Sequence, residues 1–203
     1  MKKNNLFSVI IPTYKRVFEL KKCIDSVISQ TINNWEIIVV DNNSKDGTKN
    51  LINNYKNEKI KLFFINNYGN IAKSRNLGIR KSSGDYLAFL DSDDIWKPNK
   101  LEECQKLLNK NVKLIYHDMY IKNKTGSFLP KKTGYCRTLK KPFYQDMIVN
   151  GPAFPTSSVV VEKKIFNRIN CFNENKELIT WEDYDAWIRL SKISEKFFEI
   201  KKT

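Results

Sequence analysis

The chain has 203 residues and a formal net charge of +14 at pH 7, from 36 Lys and Arg against 22 Asp and Glu. A hydrophobic share of 41% and an aromatic share of 12% suffice for one packed core and exclude a disordered chain. No apolar run nears the roughly 20 residues that span a bilayer, and the basic start Met1-Lys-Lys-Asn-Asn5 is followed by a short strand with Pro12 rather than by a secretory leader.

The excess of lysine points to an anionic partner: nucleic acid, an anionic membrane surface or a phosphorylated substrate. Lysine is spread along the whole sequence and is densest at Lys131-Lys132, Lys140-Lys141 and Lys201-Lys202, so a merely solvated basic surface competes with that reading. Cys23, Cys104, Cys136 and Cys171 lie far apart with no C-x-x-C pair, and read as reduced structural thiols of a cytoplasmic protein.

Strands and helices alternate through the first half. Residues 7–11 form a short apolar strand, and Pro12-Thr-Tyr-Lys-Arg16 a turn. Leu20, Cys23, Ile24, Val27 and Ile28 recur at helical spacing, which predicts an amphipathic helix over 17–30. A second strand over 35–40 ends in the polar turn Asp41-Asn-Asn-Ser-Lys-Asp-Gly47, which leads into a helix over 48–55. A third strand (60–65), a helix (70–81), the break Ser82-Ser-Gly84 and a fourth strand (86–90) follow. Pro98 opens a helix carrying Leu101, Cys104, Leu107 and Leu108, and 113–116 is a fifth strand. Residues 119–156 are rich in Gly and Pro and predict a long loop or hairpin with little helix, the kind of segment that forms a substrate wall or lid. A strand over 156–161, a short helix over 163–168 and a final helix from Trp181 to Leu190 complete the chain.

The alternation predicts an α/β fold: a Rossmann-like, mostly parallel sheet with helices on both faces, in a single domain. No glycine fingerprint follows the first strand, which argues against NAD and P-loop chemistry, and no Gly-x-Ser-x-Gly elbow is present.

Four polar groups follow the carboxyl ends of strands and should converge on one sheet edge. They are Pro12-Thr13-Tyr14 with Arg16; Asp41 with Asn43; Arg75; and Asp91-Ser92-Asp93-Asp94. Carboxylates crowded together in a basic chain call for a hard cation, Mg²⁺ or Mn²⁺. A solvated turn capping the next helix is the competing reading. A held cation, one or two basic groups and an aromatic suit a nucleoside diphosphate, whose leaving charge such a site stabilises. Asp41 is suited to accept a hydrogen bond from a base N–H. Further on, Glu182 and Asp183 open a helix, where acidic residues complement the dipole. Beside Trp181, a carboxylate there also suits a general base for an acceptor hydroxyl. His117, the only histidine, has no ligand-spaced companion and reads as structural.

These residues resemble a known family. Ser8-Val-Ile-Ile-Pro-Thr-Tyr-Lys-Arg16, Ser29-Gln-Thr31, Glu36-Ile-Ile-Val-Val-Asp-Asn-Asn-Ser-Lys-Asp-Gly-Thr48, Ala72-Lys-Ser-Arg-Asn-Leu-Gly-Ile79, Gly84-Asp-Tyr-Leu-Ala-Phe-Leu-Asp-Ser-Asp-Asp94 and Trp181-Glu-Asp183 follow the order of a family 2 glycosyltransferase of GT-A fold. The match is dense over 6–110 and looser over 155–192. The resemblance implies a nucleotide-sugar-binding half (1–115) and an acceptor-binding half (116–203). It places Pro12, Thr13 and Tyr14 against the nucleotide base, Asp41 at a uracil ring and Arg75 at the nucleotide or diphosphate. Asp91-Ser92-Asp93 resembles the D-x-D motif, with Asp91 towards the ribose and Asp93 on Mn²⁺ or Mg²⁺. Asp183 resembles the catalytic base, with Glu182 and Trp181 on the acceptor side.

The reaction so implied is inverting transfer from a nucleotide-diphospho-sugar, a UDP-hexose or UDP-N-acetylhexosamine, to a surface glycan or lipid-linked saccharide. It would take place in the cytoplasm, at the inner face of the membrane. Family members usually continue past the final helix, often into a membrane-associating segment, so this chain is expected to be either a truncated piece, lacking part of the acceptor site or an anchor, or a short family member. A sugar-nucleotide pyrophosphorylase would want a glycine-rich loop after the first strand, which is missing. A basic nucleic-acid-binding module without catalysis would bind with an affinity that falls steeply with salt and is indifferent to Asp93; nucleic acid is not an expected partner.

Overall fold

A computed structural model describes residues 6–108, 110–120 and 136–201. Seven strands form one sheet in the order β3-β2-β1-β4-β6-β5-β7. Strands β1 (Phe7–Thr13), β2 (Trp35–Asp41), β3 (Ile60–Phe64) and β4 (Tyr86–Phe89) run parallel, joined by helices α1 (Val17–Ile28), α2 (Thr48–Asn54) and α3 (Ile71–Lys81). Helix α4 (Lys100–Leu108) leads to β5 (Leu114–His117).

The strands sort their side chains by parity, as a sheet buried on both faces requires. Ile10, Ile38, Val40, Leu87 and Phe89 face one core, while Val9, Ile11, Ile37, Val39 and Ala88 face the other. Against the second face pack Leu20, Cys23, Ile24 and Val27 of α1 and Leu101 and Cys104 of α4, the helical repeats read from sequence. The first core centres on an aromatic cluster in which Phe89 lies 5.1 Å from Phe172, and Trp187 lies 5.8 Å from Phe166 and 5.9 Å from Phe172. Helix α3 comes close to this face because Gly78 has no side chain: a Cβ there would meet Ile10 Cγ2 at 2.6 Å.

The second half departs from expectation in three places. Within the segment expected to hold little helix, Phe143–Asn150 forms α5, with Phe143 and Met147 one turn apart in the core. Proline and glycine on both sides hide so short a repeat in sequence. The strand expected over 156–161 begins as a 3-10 turn, Thr156–Ser158, and only Val160–Glu162 is extended (β6). β6 is antiparallel to both β4 and β5. After α6 (Lys163–Arg168) and α7 (Glu182–Ser191), Phe197–Ile200 adds β7 parallel to β5, a strand the sequence pattern did not suggest. The expected loop over 121–135, with Lys131-Lys132, and also Met1–Asn5 and Lys202 lie outside the described residues. Cys23 and Cys104 are buried, and Cys136 and Cys171 partly so. No helix among the described residues is long and apolar enough to cross a membrane.

At the other end of the strands, Glu36 ties β2 to the turn before β4. Burial pushes its carboxyl up, but hydrogen bonds from the Ser83 N–H, Lys61, Ser8 and the Ser83 hydroxyl outweigh that and hold it at about 2. A carboxylate lowered by folding stabilises above its unfolded pKa and loses that contribution as pH falls through the folded one. Stability should therefore drop by about 3 kcal/mol between about pH 4.5 and pH 2 on this account. Urea melts of Glu36→Gln should show a shallower acid limb than the parent chain. Separately, Trp187→Ala should cost about 3–5 kcal/mol by emptying the aromatic cluster, read from the same melts.

Candidate active site

The carboxyl ends of β1, β2 and β4 share one edge, and the sequence-predicted residues gather there. Thr13 and Asp41 are register partners at the ends of β1 and β2. Asp41 is buried, and its Oδ1 accepts the Ser44 N–H at 3.1 Å and the Ser44 hydroxyl. Burial raises its pKa against those bonds. Ser44 Oγ in turn accepts the Lys15 N–H at 2.9 Å, and the Asn42 N–H donates to Thr13 O at 3.0 Å. The two loops are thus one unit. Asp46 completes it by accepting the Val17 N–H at 3.0 Å and the Thr48 N–H at 3.1 Å, so one carboxylate serves the first turns of α1 and α2. Asn43 donates to Asn66. Pro12 and Thr13 are buried beneath this unit, while Tyr14 stays half-exposed with Lys15 Nζ 5.2 Å from its ring.

The centre of the edge is Arg75. This α3 residue is 3% exposed. It donates to Glu182 Oε1 at 2.6 Å and to Asp91 Oδ1 at 2.9 Å, and its guanidinium lies 5.4 Å from the Phe172 ring. Burial disfavours its charge, but Asp91 and Glu182 outweigh this and raise its pKa. Arg75 therefore binds two carboxylates of the chain itself. Glu182, expected on the acceptor side, is buried and turned inward onto Arg75.

The acidic run divides by environment. Asp91 is fixed by Arg75, and its N–H donates to Ser157 Oγ at 3.0 Å. Ser92 is buried. Asp93 is half-exposed and pairs with Arg16, which is equally exposed. Asp94 is pushed up to about 6, first by burial and then by Asp91 and Asp93, despite a hydrogen bond with Ser157. Such mutual repulsion is what a bound cation would relieve.

Asp183 lies in the first turn of α7, and its Oδ2 accepts the Thr156 hydroxyl at 2.6 Å. Thr156 and Ser157 are neighbours, so one 3-10 turn holds both the acidic run and Asp183. Trp96 Nε1 pins this turn by donating to Ser157 O at 2.8 Å. Sequence reasoning assigned these two residues to a strand. The available signal was the hydroxyl triplet Thr156-Ser-Ser158 immediately before an apolar run.

Among the described residues, no three His, Cys, Asp or Glu side chains are arranged as a metal cage. Mg²⁺ and related ions in phosphate sites commonly use only one or two carboxylates and take their remaining ligands from phosphate and water. Asp93 with Asp91 fits that mode. His117 is buried and held neutral, its pKa pushed down to about 3 by burial and by Lys100 and Lys97. Its Nδ1 lies 2.8 Å from Asp118 O, in line with a structural role. A separate cleft of about 560 Å³, lined by Asn76, Arg80, Asn167, Phe172 and Glu174, contains none of the sequence-predicted site residues.

A mostly parallel α/β sheet with its polar groups gathered at the carboxyl edge is the architecture of a GT-A-like glycosyltransferase. Residues 8–169 match the model of Glycosyl transferase family 2, and the chain belongs to that family. It is 31% identical over 192 residues to the Escherichia coli UDP-Glc:alpha-D-GlcNAc-diphosphoundecaprenol beta-1,3-glucosyltransferase WfgD, covering 92% of this chain and 70% of that protein. An uncharacterized glycosyltransferase of Rickettsia felis is 32% identical over 200 residues, which are 96% of this chain but 33% of the relative. The fold matches that of S. aureus TarS 1-349, solved also in complex with UDP-GlcNAc, at TM-score 0.77 and 20% identity over 98% of this chain. It also matches mannosyltransferase PcManGT from Pyrobaculum calidifontis, in complex with GDP-Man and Mn²⁺, at TM-score 0.72 and 17% identity over 98% of this chain. The chain spans 58% of the TarS fragment and 55% of the mannosyltransferase.

Removing Arg75 leaves Glu182 buried and unpaired. Arg75→Ala should destabilise by about 3–5 kcal/mol. Arg75→Ala with Glu182→Ala should cost less than the sum of the single changes, as a double-mutant cycle in urea would show.

Proposed function

We propose that this chain is the donor-binding and catalytic portion of an inverting hexosyltransferase. It moves a sugar from a nucleoside-diphosphate donor to a hydroxyl of a saccharide acceptor. The observation that carries this reading is the Thr156-Ser157 turn, which joins Asp91 and Asp94 to Asp183 in one rigid frame. A leaving-group site and a base site so joined suit a single displacement.

The Thr13–Asp41 loop unit is the seat for the base and ribose. Its buried carboxylate offers Oδ2, which carries no hydrogen bond among the described residues, to a ring N–H. Tyr14 is exposed enough to stack. Asp93, with Asp91, would hold Mn²⁺ or Mg²⁺, which when bound neutralises diphosphate charge. Arg16 pairs with Asp93 at the surface, where such a pair is worth about 0–1 kcal/mol. Arg16 can therefore turn from Asp93 to a phosphate at little cost. Asp183 takes the proton of the acceptor hydroxyl. The acceptor oxygen bonds to the anomeric carbon from the face opposite the diphosphate as the bond from that carbon to the diphosphate oxygen breaks. Thr156 fixes the Asp183 carboxylate for that transfer.

UDP-sugars are the favoured donors, since the E. coli relative is named for UDP-Glc and TarS was solved with UDP-GlcNAc. A lipid-linked saccharide is the favoured acceptor, after the diphosphoundecaprenol substrate in the E. coli relative's name.

Calorimetry with UDP and Mn²⁺ tests the donor half: Asp93→Ala should lose metal-dependent binding by tenfold or more, as the loss of one charge-assisted contact to the metal implies. Asp183→Asn should bind UDP like the parent chain, yet transfer sugar about 10²–10⁴ times more slowly. Transfer at the parent rate by Asp183→Asn would remove it as the base.

A further inference from the structure

Helix α5 carries a surface that the reaction does not use. Phe143 and Met147 turn into the core, which leaves Ile148 and Val149 on the outer face at 54% and 79% exposure. The same surface continues onto α7. The Tyr184 hydroxyl donates to Met147 O at 2.6 Å, and the Tyr184 ring lies 5.9 Å from that of Trp181, which is 54% exposed. Lysines flank it. Lys192 Nζ lies 4.7 Å from the Tyr144 ring centre, and Lys141 Nζ lies 5.8 Å from that of Phe143 and 3.8 Å from the exposed Glu195 carboxylate, with exposed Lys140 beside it.

We infer that this face, with Ile148, Val149 and Trp181 at its centre and Lys140, Lys141 and Lys192 at its margin, docks on an anionic lipid surface. Exposed apolar side chains on monomers are ordinarily scattered, and a group of them rimmed by polar residues marks an interaction surface. An aliphatic pair, a tryptophan and flanking lysines are the composition that settles at the boundary of headgroups and acyl chains. The charge complement selects among lipids. A chain of +14 is drawn to a negative leaflet, each lysine near the surface adding to the attraction. Trp181 is two residues from Asp183, so a docked face sets the base beside the membrane plane. That fits the lipid-linked acceptor proposed above, and to this extent the inference rests on that reading.

Tryptophan emission tests it directly. Trp35, Trp96 and Trp187 are 4%, 4% and 3% exposed, so a shift on adding vesicles reports Trp181. Phosphatidylcholine vesicles containing phosphatidylglycerol should shift the emission to the blue and co-sediment the chain at low salt. Phosphatidylcholine alone should do so at least tenfold more weakly. Ile148→Ser with Val149→Ser should lower the partition coefficient by about tenfold or more. Lys140→Gln with Lys141→Gln should lower it about tenfold or more and flatten its salt dependence. All four positions are on the surface, and an unchanged melting temperature confirms the fold. Absence of vesicle binding, binding indifferent to the apolar pair, or equal binding to neutral vesicles overturns the inference. UDP binding with Mn²⁺, measured on the same samples, separates the two readings. Vesicle binding without UDP binding removes the transferase reading and leaves the docking surface. UDP binding without vesicle binding does the reverse.

Discussion

Arg75 stands between Asp91 and Glu182, and three distant segments meet through it: α3, the end of β4 and the start of α7. A buried guanidinium and a buried carboxylate are each expensive to desolvate, and the cost is offset only when both are present with good geometry. The pair therefore acts as a condition on folding as much as a bond: α7 cannot leave without stranding a charge on α3. The aromatic cluster supplies the apolar floor, since Phe172 lies under the guanidinium and against Phe89 and Trp187. One cation against two carboxylates leaves net negative charge on the side where Asp91 is one-third exposed. The site presents that side outward, towards Asp93.

The second constraint is the 3-10 turn of Thr156–Ser158. Its place follows from the reversal of β6, which enters the sheet antiparallel beside β4 and so begins at the edge where β4 ends. A parallel strand there would start at the opposite edge and could not reach Asp91. The turn is held from beneath by Trp96, and Trp96 by Lys100, whose ammonium nitrogen lies 3.6 Å from the indole ring centre. Lys100 is fully buried, and burial lowers its pKa to about 8. A chain of contacts thus runs from the start of α4 through the turn to Asp91 and Asp183.

Much of this was legible in sequence because the signals are local. β1, β2 and β4 and helices α1 and α3 are announced by their own apolar spacing, and the polar turns after the strands place the site at one edge. Asp91, Asp93 and Asp183 stand out as acidic residues after an apolar strand or at a helix start. The partners were not legible. Arg75 and Glu182 are 107 residues apart, and each looks locally like an ordinary helix residue. Glu182 was therefore expected to face an acceptor when it faces a guanidinium. Thr156 and Ser157 looked like strand residues because Val159, Val160 and Val161 follow them. α5 and β7 were missed for a related reason. Both are short, and their stability comes from packing against α7 and β5 rather than from their own propensity.

The acidic run joins two kinds of carboxylate within three residues. Asp91 is held by a buried partner and by a backbone bond to Ser157, so its oxygen positions are fixed before any ligand arrives. Among the described residues Asp93 pairs only with Arg16, and both groups are half in water, where the pair gains little over hydration. A site that takes up a cation and an anion together, as proposed, needs both properties. A wholly fixed set would have to be dehydrated and paired in advance, at the cost that buried charges carry. A wholly free set would lose side-chain entropy on every binding event. With Asp91 anchored and Asp93 and Arg16 loosely paired, the loop keeps its geometry while its two mobile charges already lie beside each other. Each can exchange its partner for a ligand of the same sign without uncovering a buried charge.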